Sequence, residues 1–432
     1  MNSGHLIKAI AVLLIAVSAA SAQSGPFSMQ NLGTLGTNSE GHYVNENGDV
    51  AGNNQYGGNP TVFRAFLYKN AQMIDLGTVN GGQSSFVSGI NANGDVIGTG
   101  NNAFLYKYST GQMIALGTLG GSYSSTTGIN DNGDVVGGAY IAGDSAQHAF
   151  LYRNGQMIDL GTLGGRHSVA RAINNNGDII GESQVSTTNF NISHAFLYRN
   201  GQMIDLGTLG GSTSYPVAIN ASGDVVGYSN LAGDINYHAF LYKNGQMIDL
   251  GTLPGGANSD ATGINDNGDV IGNSELAGNS YVHAFLYRNG QMIDLGTLGA
   301  TQRSVARAIN NNGDVVGRSD LFGPERAFLY RDGQMIDLGT LGGTSSIAND
   351  VSNSGYITGR SHIANDSGFR AYRIYAPPIP PAPSLKLKVD GGNLLIGSPG
   401  QGLILRSPGG LVCRSIGIDN AGAMTVQTVT CP

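Results

Sequence analysis

A block of about 45 residues is written eight times along this chain, always in the same internal order. It reads A-x-x-I-N-x-x-G-D-V-V-G-x-S, a variable stretch, then H-A-F-L-Y-R-N-G-Q-M-I-D-L-G-T-L-G-G. The alanine of A-F-L-Y falls at Ala65, Ala103, Ala149, Ala195, Ala239, Ala284 and Ala327, with a degenerate copy at Ala371; the spacings are 38, 46, 46, 44, 45, 43 and 44. Such a unit cannot bury its apolar faces alone, so neighbouring copies must stack.

Four strands can be read in each copy. In the sixth, Ala261–Asn265 is followed by an Asp266-Asn267-Gly268 turn and by Asp269–Asn273 running back. Asn-Gly supplies the positive φ of a tight hairpin. After a variable loop comes His283–Tyr287, an apolar run expected where both faces of a strand are covered. Asn289-Gly290 then turns the chain into Gln291–Leu295, whose acidic residue implies a partly wet position. Four antiparallel strands ending in the wettest one predict a propeller blade running outward from a central channel.

The ends of the array decide how it closes. Seven copies carry the fourth strand, but after Ala371–Tyr375 the chain enters a proline-rich stretch instead. Phe27–Thr34 matches the missing Q-M-I-D-L-G-T element and precedes the first copy, so it would complete the last blade and leave no open edge. The predicted fold is all-β: an eight-bladed β-propeller of four-stranded antiparallel blades closed by an N-terminal strand, plus a small C-terminal all-β module. An open β-solenoid is the competing architecture, and it would need dedicated caps.

The flanks set the domain plan. Residues 1–22 read as a signal peptide: Lys8, an apolar run over Ala9–Val17, and small residues before a cleavage between Ala22 and Gln23. The propeller then spans 23–376, a proline-rich linker 377–383 and a β-rich tail 384–432. The tail holds the two cysteines, Cys413 and Cys431; in an oxidising compartment they would form a bridge worth about 3 kcal/mol. No transmembrane segment is expected in the mature chain. A net charge of −7 removes the basic footprint that nucleic acid requires.

These motifs resemble those of the HAF-repeat family of probable extracellular proteins, whose label comes from the His-Ala-Phe seen at His148, His194, His238 and His283. The resemblance covers about residues 30–375. That family usually has Trp after H-A-F-L, whereas this chain has Tyr and no tryptophan. The resemblance implies a bacterial protein that is secreted, extracellular or periplasmic, and it implies no established reaction.

Function is expected on the variable loops between second and third strands, which share one end of the ring with the L-G-G connections. That end carries Tyr140, Phe190, Tyr215, Tyr237, Tyr281 and Phe322, with Asp144, Asp234 and Asn279. Two copies depart from the rest by placing Arg166, His167 and Arg171, and Arg303 and Arg307, around the start of an innermost strand. These arginines would grip a carboxylate or sulfate, or else pair with Asp260, Asp350 or a neighbouring blade's carboxylate. The repeated histidines read as blade-stapling donors, since Arg64, Arg326 and Arg370 fill the same place elsewhere. Asn-x-Asn-Gly-Asp lacks the distal glutamate of a calcium loop and reads as a hairpin turn. No cofactor or metal site is expected.

Three functions follow. One is a secreted non-catalytic scaffold binding a polysaccharide or a cell-surface or envelope protein. Another is an extracellular lyase-like enzyme on an acidic glycan, with Arg171 and Arg307 neutralising a uronate while His167 and Tyr215 exchange protons. The third is a spacer presenting the tail module.

Overall fold

The computed structural model describes residues 27–378 apart from 279–280, 300–302 and 321–323, together with the backbone of five strands in the tail. The leader and its cleavage site at Ala22 and Gln23 lie outside the described residues, as do Asn279, Phe322 and Cys431. Only backbone is described for Cys413, so the expected disulfide lies outside what the structure describes.

Each repeat folds into one four-stranded antiparallel sheet, with strands a to d in sequence order. Blade 1 is Ser39–Val44, Val50–Gln55, Phe63–Lys69 and Gln72–Gly77. The a strands of blades 2 to 8 are Phe86–Ile90, Gly120–Ile129, Ser168–Ile173, Gly210–Ile219, Ser259–Ile264, Arg303–Ile309 and Gly342–Val351. Neighbouring a strands touch one another all round, from blade 8 back to blade 1, so they surround the central channel. Blades 4 and 5 are also joined by one parallel pairing, Ser193 with Thr213.

The ring closes through its N-terminal segment. Gln30–Asn31 pairs antiparallel with Phe369–Tyr375, Gln30 opposite Arg373 and Asn31 opposite Tyr372, as the outermost strand of blade 8. The chain is thus an eight-bladed propeller whose last blade combines both ends of the array.

Packing explains why the repeat is so constant. Phe66, Phe104, Phe150, Phe196, Phe240, Phe285 and Phe328 on the c strands are fully buried, with Tyr372 in the eighth place. Each packs over the glycine of V-V-G. At Gly272 an added Cβ would lie 2.0 Å from the Asp260 carbonyl oxygen and 2.6 Å from the Phe285 ring, so no other residue fits. At Gly268 the a–b turn needs φ of 84°, which glycine adopts without strain. The apolar layers lie between blades: Val226, Ala239, Leu241 and Leu250 of blade 5 cluster with Ala261, Val270 and Phe285 of blade 6.

A buried serine clasps every seam. Ser259 Oγ accepts the Ala239 N–H at 2.9 Å and donates to the Gly251 carbonyl at 2.6 Å, tying blade 6 to strand c of blade 5. Equivalent clasps are made by Ser85, Ser124, Ser168, Ser214, Ser304 and Ser346. Ser39 makes the closing one, to Ala371 and Gly33. The closing seam therefore uses the same bond as the interior ones.

The chain divides into two units at Pro377/Pro378. The second contains a five-stranded antiparallel sheet from Lys388–Val389 to Met424–Val429. No helix among the described residues is long and apolar enough to cross a membrane.

Candidate functional site

At the end of the ring that carries the a–b turns, the I-N-x-x-G-D motif does more than turn the chain. Asn265 Oδ1 accepts the Asn267 and Asp269 amides, at 3.1 and 2.9 Å, shaping the hairpin. Its Nδ2 donates to the Asn310 carbonyl of the next blade at 3.0 Å. The same link runs from Asn45, Asn91, Asn130, Asn174, Asn220 and Asn310. Ser352 lacks the amide in blade 8, and there Glu46 of blade 1 accepts the amides of Asn353 and Ser354 instead. A hydrogen-bonded belt thus encircles this channel mouth, above a ring formed by Val44, Ile90, Ile129, Ile173, Ile219, Ile264, Ile309 and Val351.

The remaining repeat polar groups are also committed. In blades 1 to 7 the aspartate after the turn glycine pairs with the cation closing strand c, as in Asp178 with Arg199 at 2.7 and 2.8 Å, whereas blade 8 has Tyr356 in that place. The Arg199 hydrogen bonds hold the Asp178 carboxyl below its ordinary value, although burial opposes them. His148, His194, His238 and His283 join Nδ1 to Asp159, Asp205, Asp249 and Asp294 at 2.9 Å, stapling strands c and d within one blade. Arg326 does the same with Asp337. Among the described residues no group of three His, Cys, Asp or Glu side chains converges as a metal site.

The opposite, loop end differs. Tyr215 stacks on Tyr228 with centroids 5.1 Å apart, and Tyr228 meets Tyr237 at 5.6 Å. Beside this trio Arg171 pairs with both carboxylate oxygens of Glu182, its Nε at 2.7 Å from Oε2. Asp260 accepts from Asn273 Nδ2 at 3.1 Å, and burial pushes its carboxyl up. Three of the sequence candidates, Arg171, Tyr215 and Tyr237, are therefore brought together at the loop end of blades 4 and 5, close to Asp260 of blade 6.

Other candidates are placed apart. Phe190, 51% exposed, lies under the Arg166 guanidinium, 5.8 Å from its ring centroid, while Arg166 donates to the Ser145 carbonyl. His167 Nδ1 accepts the Gln147 amide, tying blade 4 to blade 3, and burial first, then Arg166, lowers its proton affinity. Tyr140 is half-buried opposite Gln147, and Tyr281 is exposed ahead of strand c of blade 6. Arg303 is exposed at the start of strand a in blade 7. Asp144 and Asp234 accept the Ser122 and Ser212 amides, closing their own loops. Arg171 and Arg307 sit three blades apart, and neither takes the partner considered for it: Glu182 of the same blade binds Arg171, and Asn349 of blade 8 accepts from Arg307 at 2.8 Å. Sequence reasoning missed Tyr228, whose signal was its place directly after the V-V-G glycine, and the exposed Phe86 and Tyr123.

No family model matches the chain, and no curated protein matches it. Among solved structures it is similar to the β-propeller domain of the Trilobed protease from Pyrococcus furiosus, at 10% identity and a TM-score of 0.43 over 67% of this chain and 93% of that one. It is similar to an oligogalacturonate lyase in complex with manganese, at 10% identity and 0.47 over 82% and 94%. TolB from Acinetobacter baumannii matches at 12% identity and 0.35 over 84% and 68%.

Proposed function

We propose that this propeller is a secreted, non-catalytic scaffold that binds a polysaccharide through the loop end of its ring. The observation that carries the reading is the tyrosine group Tyr215, Tyr228 and Tyr237 bordered by Arg171–Glu182 and Asp260–Asn273. Aromatic rings offer flat apolar faces at low entropic cost, and the flanking carboxylates and amide hydrogen-bond hydroxyls. That combination suits a sugar ring. A cell-surface or envelope protein is the other partner class for the same face.

The test is to incubate the purified protein with acidic and neutral polysaccharides, scoring both retention and glycan chain length. Retention of intact chains, lost in Tyr237→Ala, is the expected result. Shortened chains would replace the reading by an enzyme, and absence of retention by every glycan would turn it to protein partners or to the tail module.

A further inference from the structure

The ring carries a second feature, on blades 7, 8 and 1. Arg307 occupies the same place in its blade as Arg171 in blade 4: each follows S-V-A at the bulge of strand a. In blade 4 the strand b residue beside it is Glu182, which neutralises Arg171 through two hydrogen bonds. In blade 7 that strand b position is Arg318. The repeat has thus exchanged the balancing carboxylate for another cation. Arg318 spends its own charge on Glu325.

Around this pair the charge stays positive. Arg307 is exposed on a strand that borders the channel and, among the described residues, makes one side-chain hydrogen bond, to the neutral Asn349. Asn349 passes the contact on to Glu40 Oε1 and the Gly41 carbonyl, at 3.0 and 2.7 Å. Glu40 is already held by Arg360, at 2.9 Å. Three guanidinium groups, Arg307, Arg318 and Arg360, therefore face two carboxylates, Glu40 and Glu325, on a chain whose net charge is −7. His42 stands in the same group and adds charge only when protonated; burial lowers its proton affinity first, then Arg307 and Arg360 against Glu40. Burial first, then the nearby Arg318 and Arg360, push Arg307 below its ordinary value, against the opposing pull of Glu40 and Glu325.

We infer that Arg307, flanked by Arg318 and Arg360, is an oxyanion subsite of the channel that takes one carboxylate or sulfate group of an acidic glycan. A planar guanidinium with free donors matches either group in two-point geometry. The subsite rests on the glycan reading above and adds to it the charge class of the sugar. The tyrosine group would hold a sugar face, and Arg307 an anionic substituent.

The test is titration calorimetry of the full chain at low salt with sodium glucuronate, inorganic sulfate and glucose. Both anions should bind and glucose should not. Arg307→Gln should weaken the anions at least about tenfold, and so should Arg318→Glu, which recreates the balanced pair of blade 4. Lys243→Gln, which removes a cation at the turn end of blade 5, should leave binding unchanged, and Arg307→Lys should keep part of it if Arg307→Gln fails to fold. Binding of sulfate alone or glucuronate alone would assign the subsite to sulfate esters or to uronates. Anion binding that survives Arg307→Gln, or wild-type protein that binds neither anion, would overturn the inference. Anion binding without retention of any glycan would sink the glycan reading and leave the subsite standing.

Discussion

At the turn end of the ring, side-chain amides pass hydrogen bonds from blade to blade until Glu46 closes the circle; at the loop end, tyrosines and arginines stand with open faces. The same repeats build both. At the turn end each copy must satisfy its neighbour, so nearly every copy keeps the same asparagine. At the loop end the copies are free to differ, and blades 4 to 6 have diverged into an aromatic patch while blades 7 to 1 have diverged into a cationic one. Constancy in this molecule marks structure, and departure from the repeat marks the candidate site.

The largest effect should come from cutting the belt. Asn265→Ala removes the acceptor of two amides and the donor to blade 7, which should cost about 3 kcal/mol in chemical denaturation. Glycan retention by the remaining folded protein should not change; if it falls in step with stability, the two ends are not separable. Next is the closing seam, where Asp350 is half-buried and accepts the amides of Val44 and Val351. Burial pushes its carboxyl up to about 6. Its folded value lies above the unfolded one, so its contribution is complete below about pH 4 and is lost as pH rises through about 6. Relative to Asp350→Asn, wild-type stability should fall by on the order of 2 to 3 kcal/mol between pH 4 and 7.5, and a constant difference would remove the seam's dependence on protonation.

Smaller changes follow from the clasps and the loop end. Ser259→Ala and Ser39→Ala each leave a buried amide unsatisfied and should each cost about 1 to 2 kcal/mol in urea unfolding, equal values showing that interior and closing seams are equivalent. Tyr237, 37% exposed, should act in the opposite sense: Tyr237→Ala should shift stability by less than about 0.5 kcal/mol while abolishing glycan retention. A loss of stability without a change in retention would place the ring in the blade and not in the site.

Much of the fold was legible because the repeat exposes its own logic. The position of A-F-L-Y counted the blades, and the displaced Q-M-I-D-L-G-T match at Phe27–Thr34 placed the closing strand. The blade-to-blade partners were not legible. Asn265 reads locally as a turn former, and it is one, while its second partner lies 45 residues away and is defined only by the stacking of blades. The serine clasps were hidden for the same reason: a serine at the start of a strand carries no local signal of burial. Of the candidate site, Tyr215, Tyr237 and Arg171 were legible as departures from the repeat, and the structure groups them. Arg307 was matched with Arg171 by their shared surroundings, but the opposing residues, Glu182 and Arg318, become visible only when strands a and b are paired.

The short closing strand also sets how the ring responds to force. Gln30 lies opposite Arg373 in an antiparallel pair, so the chain preceding Gln30 and the chain following Tyr375 leave blade 8 from the same end. Tension between those two segments would load the pair as a zipper, one bond at a time, and not in shear across the whole strand. The propeller would open at the seam between its first and last strands while the other seven blades stay intact, which makes this two-residue strand the mechanical fuse of the molecule.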